Sequence, residues 1–163
     1  MKRYLLYMFL GLMAACQSGG DHKTLSGIAK LPSFKILSVD STCCFSSDNF
    51  QMGQPTVLLY FDPDCEHCQQ ETRSILANMD KLKGARICLV TNGEASELKK
   101  FSEVFRLDSV KNVLIGKDYN YSFYRAFLPP TVPYMAIYNG RKDLVKVYSG
   151  ETDIHFIIDA TRE

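Results

Sequence analysis

An excess of charge of one sign is missing from this 163-residue chain. The formal net charge is +1 and no basic stripe interrupts the sequence, so nothing favours a polyanionic partner and nucleic acid is set aside. A long apolar run is missing as well. Tyr4 to Ala15 is the one extended candidate, and it is too short for a helix that must cross roughly 30 Å of hydrocarbon. There is no internal repeat and no low-complexity tract, which argues against a repeat array. A second Cys-x-x-Cys is missing too. That weighs against structural zinc, which takes about four ligands. Cys43 and Cys44 are vicinal and poorly shaped to chelate one ion together, so no metal site is expected.

What is present is ordinary for a folded domain. Hydrophobic residues make up 46% of the chain and charged residues 23%, enough for one domain with a real core. The first residues read as an address. Lys2 and Arg3 precede the apolar run, which ends in Leu12-Met13-Ala14-Ala15-Cys16 before the polar stretch Gln17 to His22. Length and flanks suit the core of a secretory signal. Small residues leading into a cysteine resemble a bacterial lipoprotein signal, in which that cysteine is lipidated and becomes the mature N-terminus. Residues 1–15 are therefore expected to be signal, 16–30 a flexible tether and 31–163 the folded domain, with a lipid anchor at Cys16. Met13 departs from the aliphatic residue usual in such signals, and an ordinary cleaved signal is the alternative. By the same resemblance, Gln17 after the cysteine favours the outer membrane. The expected location is the cell envelope, facing the periplasm.

The domain alternates strands and helices. Phe34 to Val39 predicts a first strand, and the polar stretch Thr42 to Asn49 a turn. Val57 to Phe61 is continuously apolar, the pattern of a strand buried on both faces. Asp64 is the expected cap of a helix beginning at Cys65, with Ile75, Leu76, Met79 and Leu82 as its buried stripe and Gly84 as its end. Ala85 to Thr91 predicts a strand, Leu98, Phe101 and Phe105 a helix face, and Val113 to Ile115 a short strand. Tyr119 to Phe127 is expected to be partly helical, until Pro129 and Pro130 break it. Tyr134 to Tyr138 and Leu144 to Tyr148 flank Asn139-Gly140, a hairpin signal, and a last helix spans about Thr152 to Ala160. The implied class is α/β, a central mixed sheet with helices on both faces.

Cys65-Glu66-His67-Cys68 carries the chemistry. At the start of a helix behind a buried strand, the first cysteine meets unpaired N–H groups and the positive end of the helix dipole. Both stabilise the thiolate, the nucleophile of disulfide exchange. The second cysteine lies one turn along on the same face and can attack a mixed disulfide. Cys65 is thus expected to attack and Cys68 to resolve.

Pro32-Ser33-Phe34, Phe45 to Phe50, Gly53-Gln54-Pro55, Val57 to Phe61 and Cys65 to Glu71 are together similar to the thioredoxin-like TlpA/ResA family. These are exported, membrane-tethered thiol–disulfide proteins of the redoxin type, and the likeness runs from about Leu31 to the C-terminus. It implies the thioredoxin fold, no cofactor, exported cysteine-containing proteins as substrates, and a membrane or periplasmic protein as electron donor. Thr131-Val132-Pro133 resembles the family's cis-proline loop, which places Val132 and Pro133 beside the cysteines as a substrate-binding segment; Pro130 is the alternative. Glu71, three residues after Cys68, stands where the family often places a carboxylate, which can relay a proton to or from Cys68. A solvated surface acid is the competing reading. Three departures stand out: the chain has no tryptophan to precede the motif, no acid lies inside Val57 to Phe61, and His67 replaces the proline before Cys68, as in DsbA-type oxidants. Peroxide reduction is disfavoured, because Asp62 stands where peroxiredoxins have threonine or serine.

The direction of electron flow is contested within the motif. His67 and the helix start favour the thiolate and an oxidising couple, whereas Asp62, Asp64 and Glu66 oppose it. The family leans the same way as the acids, toward a reductase or isomerase rather than an oxidase. The alternative function is a thioredoxin-fold binding protein or metal chaperone using the cysteines as ligands or as a structural disulfide. Cys88, inside a core strand, is expected to be a small buried hydrophobe. Cys43-Cys44 is either a pair of turn thiols or a second redox relay.

Overall fold

A computed structural model describes residues 26–82 and 84–163. The expected signal 1–15, the anchor Cys16 and most of the expected tether lie outside the described residues. Where the tether is described, it already belongs to the fold. Ile28 is fully buried, its carbonyl accepts the Tyr138 hydroxyl at 2.9 Å, and the Ala29 carbonyl accepts the Leu144 N–H. The packed domain therefore starts a few residues before Leu31.

Seven strands form one sheet: β1 (Lys35–Ser38), β2 (Cys44–Ser46), β3 (Thr56–Tyr60), β4 (Arg86–Thr91), β5 (Val113–Lys117), β6 (Tyr134–Tyr138) and β7 (Leu144–Ser149), in the order β2-β1-β5-β4-β3-β6-β7. The β3–β4 and β4–β5 pairs are parallel and the others antiparallel. Helices α1 (Glu66–Ala77), α2 (Ala95–Phe105), α3 (Ser122–Phe127) and α4 (Ile154–Ala160) cover it. The mixed sheet with helices on both faces is the expected class.

The apolar run of β3 divides between two cores. Val57 and Leu59 pack on one face with Ile75 of α1, Phe101 of α2 and Ile157 of α4. Leu58 and Tyr60 pack on the other with Phe34, Phe50 and the α3 residues Phe123 and Phe127. Period-two alternation sends successive side chains to opposite faces, so a strand covered on both sides must be apolar throughout. Burying such side chains stabilises by about 1.5–3 kcal/mol each.

Three local expectations are corrected. Residues 42–49 are not a plain turn: Cys44–Ser46 pairs with β1 as an edge strand, and a 3-10 turn follows at Ser47–Asn49. The serines there are structural, since Ser46 Oγ accepts the Asp48 N–H while Ser47 Oγ accepts the Phe34 N–H and donates to the Pro32 carbonyl. Secondly, α1 stops at Ala77 rather than at Gly84. Asn78 leaves helical geometry and donates its side-chain amide to the Ser74 carbonyl, which leaves Met79 and Leu82 in the following turn. Thirdly, Cys65, not Asp64, caps α1. Asp62 Oδ1 accepts the Asp64 N–H and the Asp62 carbonyl accepts the Cys65 N–H, a tight turn that delays the helix by one residue.

Candidate functional site

The site lies at the end of the sheet where β3 finishes and β6 begins. Tyr60 and Tyr134 are register partners there. Cys65 follows the first by a short turn and Pro133 immediately precedes the second, so the topology brings both to one pole.

Cys65 has extended backbone angles, and its Sγ accepts the Cys68 N–H at 3.4 Å. An N-terminal helix N–H aimed at sulfur, together with the helix dipole, favours negative charge on that sulfur. Cys65 is partly exposed, whereas Cys68 is fully buried, and both are free thiols. Burial, and then the hydrogen bond with Cys65, push the Cys68 thiol up to about 12. Thr72 locks the first turn by donating its hydroxyl to the Cys68 carbonyl at 2.8 Å. The pair therefore consists of one reachable sulfur with a donor aimed at it and one protonated sulfur behind it.

The remaining sequence-predicted residues distribute around this pair. Glu66 is exposed and, among the described residues, accepts only the Gln70 amide, at 3.3 Å. His67 is exposed, with Nδ1 2.9 Å from Glu151 Oε2. Glu71 is not a solvated surface acid: it is 1% exposed, and its Oε2 accepts the Thr152 N–H at 2.7 Å. Its Oε1 is buried without a hydrogen-bond partner among the described residues. Burial pushes the Glu71 carboxyl up to about 7, against the lowering effect of the Thr152 N–H. It borders a cavity of about 520 Å³ that Ser74, Glu151 and Asp153 also line. The Val132–Pro133 peptide is the one cis bond among the described residues, which places it at Pro133 and not Pro130. Val132 is partly buried and packs against both cores, and Pro133 is buried.

One segment escaped the sequence reading. Residues 150–152 tie the site together: the Gly150 N–H donates to the Pro133 carbonyl at 2.8 Å, Glu151 holds His67, and Thr152 holds Glu71. These partners are 84 and 81 residues from the residues they hold in the motif. No local pattern marks them, because only sheet topology brings the end of β7 to the start of α1.

Cys88 is buried beside Leu58 in the second core, and burial pushes its thiol up to about 12; it is the expected small hydrophobe. Cys43 and Cys44 are exposed, separate thiols on the edge strand side. Among the described residues there is no group of three or more histidine, cysteine, aspartate or glutamate side chains able to hold a metal ion.

No protein-family model matches the chain. No curated protein matches it in sequence either. Its fold, however, is shared by many solved structures. It is similar to a secreted disulfide oxidoreductase of Mycobacterium tuberculosis homologous to E. coli DsbE, with 14% identity, 83% of this chain and 96% of that one covered, and a TM-score of 0.66. It is similar to a thioredoxin-like protein from Porphyromonas gingivalis at 19% identity, covering 81% and 90%, with a TM-score of 0.62. A peroxiredoxin-like protein from Aquifex aeolicus matches at 14% identity over 80% and 82%, with a TM-score of 0.65. At these identities the likeness establishes the fold, and the fold is the α/β thioredoxin fold.

Proposed function

We propose that this protein is a thiol–disulfide oxidoreductase of the thioredoxin-like, TlpA/ResA type, acting on exported cysteine-containing proteins. The observation that carries this reading is the asymmetry of the cysteine pair: Cys65 Sγ is reachable and accepts the Cys68 N–H, while Cys68 is buried and held protonated. In the reductive direction the Cys65 thiolate attacks one sulfur of a substrate disulfide, forming a Cys65–substrate disulfide and releasing the other substrate sulfur as a thiolate. Cys68 then loses its proton and attacks Cys65. The second substrate thiolate leaves, and the protein carries the Cys65–Cys68 disulfide. Two electrons have passed to the substrate, and a donor dithiol protein in the membrane or periplasm must return them. Glu71, a buried carboxyl titrating near neutrality on the same helix, is suited to exchange the Cys68 proton. The Val132–Pro133 segment, at the same pole, is the proposed seat of the substrate strand.

The reductase or isomerase direction is favoured over oxidation by the His67–Glu151 pair. With Glu151 against it, His67 brings no net positive charge to the thiolate, and Asp62, Asp64 and Glu66 add negative charge nearby. The proposed location is the cell envelope, through a lipid on Cys16. That rests on the signal-like N-terminal sequence and agrees with the secreted nature of the Mycobacterium tuberculosis protein.

The deciding experiment replaces Cys68 by serine in the full exported chain. An exchange enzyme accumulates mixed disulfides through Cys65, which reductant releases and Cys65→Ser abolishes. A binding scaffold or metal chaperone traps nothing, and that outcome rejects the proposal. Replacing Cys16 by alanine should abolish incorporation of labelled fatty acid and release the protein from membranes.

A further inference from the structure

A second cavity, of about 350 Å³, lies far from the cysteine pair. Arg86 lines it and is the register partner of Thr56 at the start of β3, whereas Cys65 follows the opposite end of that strand. The guanidinium carbon of Arg86 sits 4.4 Å from the centroid of the Phe50 ring. Arg86 Nη1 is buried and has no hydrogen-bond partner among the described residues. Among the described residues, no aspartate or glutamate lines the cavity. A buried N–H donor that has given up water without gaining an acceptor is unfavourable, more so on a charged group, so an acceptor brought from outside is favoured. Burial also works against the Arg86 charge, a cost that an anion would offset.

The other walls indicate the kind of anion. Phe45, Phe50 and Leu114 offer apolar surface, and Asn49 and Asn112 offer amides whose side chains make no hydrogen bond among the described residues. Gln54 is already engaged, donating to the Gly84 carbonyl at 2.7 Å. Among the described residues, Arg86 is the one lysine or arginine in the lining. A phosphate dianion would leave charge uncompensated here, whereas a single carboxylate matches one planar guanidinium fork. The volume is within the range of small-molecule sites. We propose that this cavity binds a small organic carboxylate, its carboxylate on Arg86 and its apolar body against Phe45 and Phe50.

The probe is sodium benzoate, titrated into the ¹⁵N-labelled protein while the Arg86 Nε–H and the Asn49 and Asn112 side-chain amides are followed by NMR. Benzamide serves as the neutral isostere and inorganic phosphate as the competing anion. Saturable shifts with benzoate are expected, with benzamide at least tenfold weaker and the response lost in Arg86→Gln. Asn112→Asp, which sets a carboxylate in an exposed position of the cavity wall, should weaken benzoate at least severalfold. It decides the matter if Arg86→Gln does not fold. Four results would each overturn the proposal: no saturable shift up to about 50 mM, weaker than any useful specific binding; benzamide binding as tightly as benzoate; phosphate binding as tightly or more tightly; or benzoate affinity undiminished in both variants. None of these touches disulfide exchange, so this site and the cysteine pair stand or fall separately.

Discussion

The Cys68 N–H points at the Cys65 sulfur across 3.4 Å, and that one contact ranks the two thiols. It favours charge on Cys65, while burial, and then the side-chain hydrogen bond with Cys65, push the Cys68 thiol up to about 12. With the reduced protein at pH 7, iodoacetamide should therefore label Cys65 before Cys68. Held protonated well above neutrality and buried, Cys68 should take label only after denaturation. Peptide mapping after timed quenching reads the order. Labelling of Cys68 ahead of Cys65 would reverse the assignment of attacker and resolver.

The sequence made the middle of the sheet easy to read and its margins hard. Val57 to Phe61 announces a strand covered on both faces because every position is apolar, and the two cores confirm why. The edge strand Cys44–Ser46 gives no such signal: its face outward is solvated, and Ser46 with the adjoining Ser47 is consumed by the turn that follows. The end of α1 was hidden for a related reason. Met79 and Leu82 continue the helical spacing by accident of packing in the next turn, while the side chain that ends the helix, Asn78, looks like any polar residue. At the site, the motif is local and was legible. Its supports, Glu151 and Thr152, act across the fold and were not.

Glu71 should give the protein a distinctive pH dependence. Its carboxyl, usually near 4.5, is pushed up to about 7 by burial in the folded chain. Between those values the folded state holds a proton that the unfolded state has lost. Stability from this group is therefore greatest below about 4.5, falls as pH rises through the window, and levels off above about 7, a loss of about 3 kcal/mol. Glu71→Gln keeps the acceptor for the Thr152 N–H and removes the titration. Urea denaturation of both proteins from pH 4.5 to 8 should show the variant gaining on the native chain as pH rises. Parallel profiles would show that Glu71 ionises in the fold as it does in the unfolded chain.

Glu151 should set part of the redox potential through His67. Removing its charge in Glu151→Gln leaves any positive charge on His67 free to stabilise the Cys65 thiolate, which favours the reduced form and makes the couple more oxidising. The two side chains are 69% and 46% exposed, so the pair is worth no more than about 1 kcal/mol, or about 20 mV for a two-electron couple. Equilibration against glutathione buffers of graded ratio measures the change. A more reducing variant would show that Glu151 acts on the cysteines by some route other than His67.

Gly116 joins the halves of the sheet. It opposes Ser38 where β1 meets β5, and a Cβ there would stand 2.6 Å from the Leu37 carbonyl oxygen and 3.0 Å from the Ile36 Cδ1. The carbonyl is backbone, and β1 cannot retreat from it because β2 pairs with its other edge. Glycine in a strand interior ordinarily weakens it; here the missing side chain is what lets two backbones approach. Gly116→Ala should lower the urea midpoint by the equivalent of about 2–3 kcal/mol, the range of forced overpacking. Gly27→Ala is the matched control, since nothing among the described residues lies within 4 Å of a Cβ at that position, and it should stay within about 0.5 kcal/mol of the native chain. If the Gly116 variant were equally silent, β1 and β2 would have to be a loosely held flap rather than part of the sheet. The burial of Ile36 within β1 and of Phe34 just before it argues against that: shedding β1 would expose both side chains together and cost several kcal/mol more.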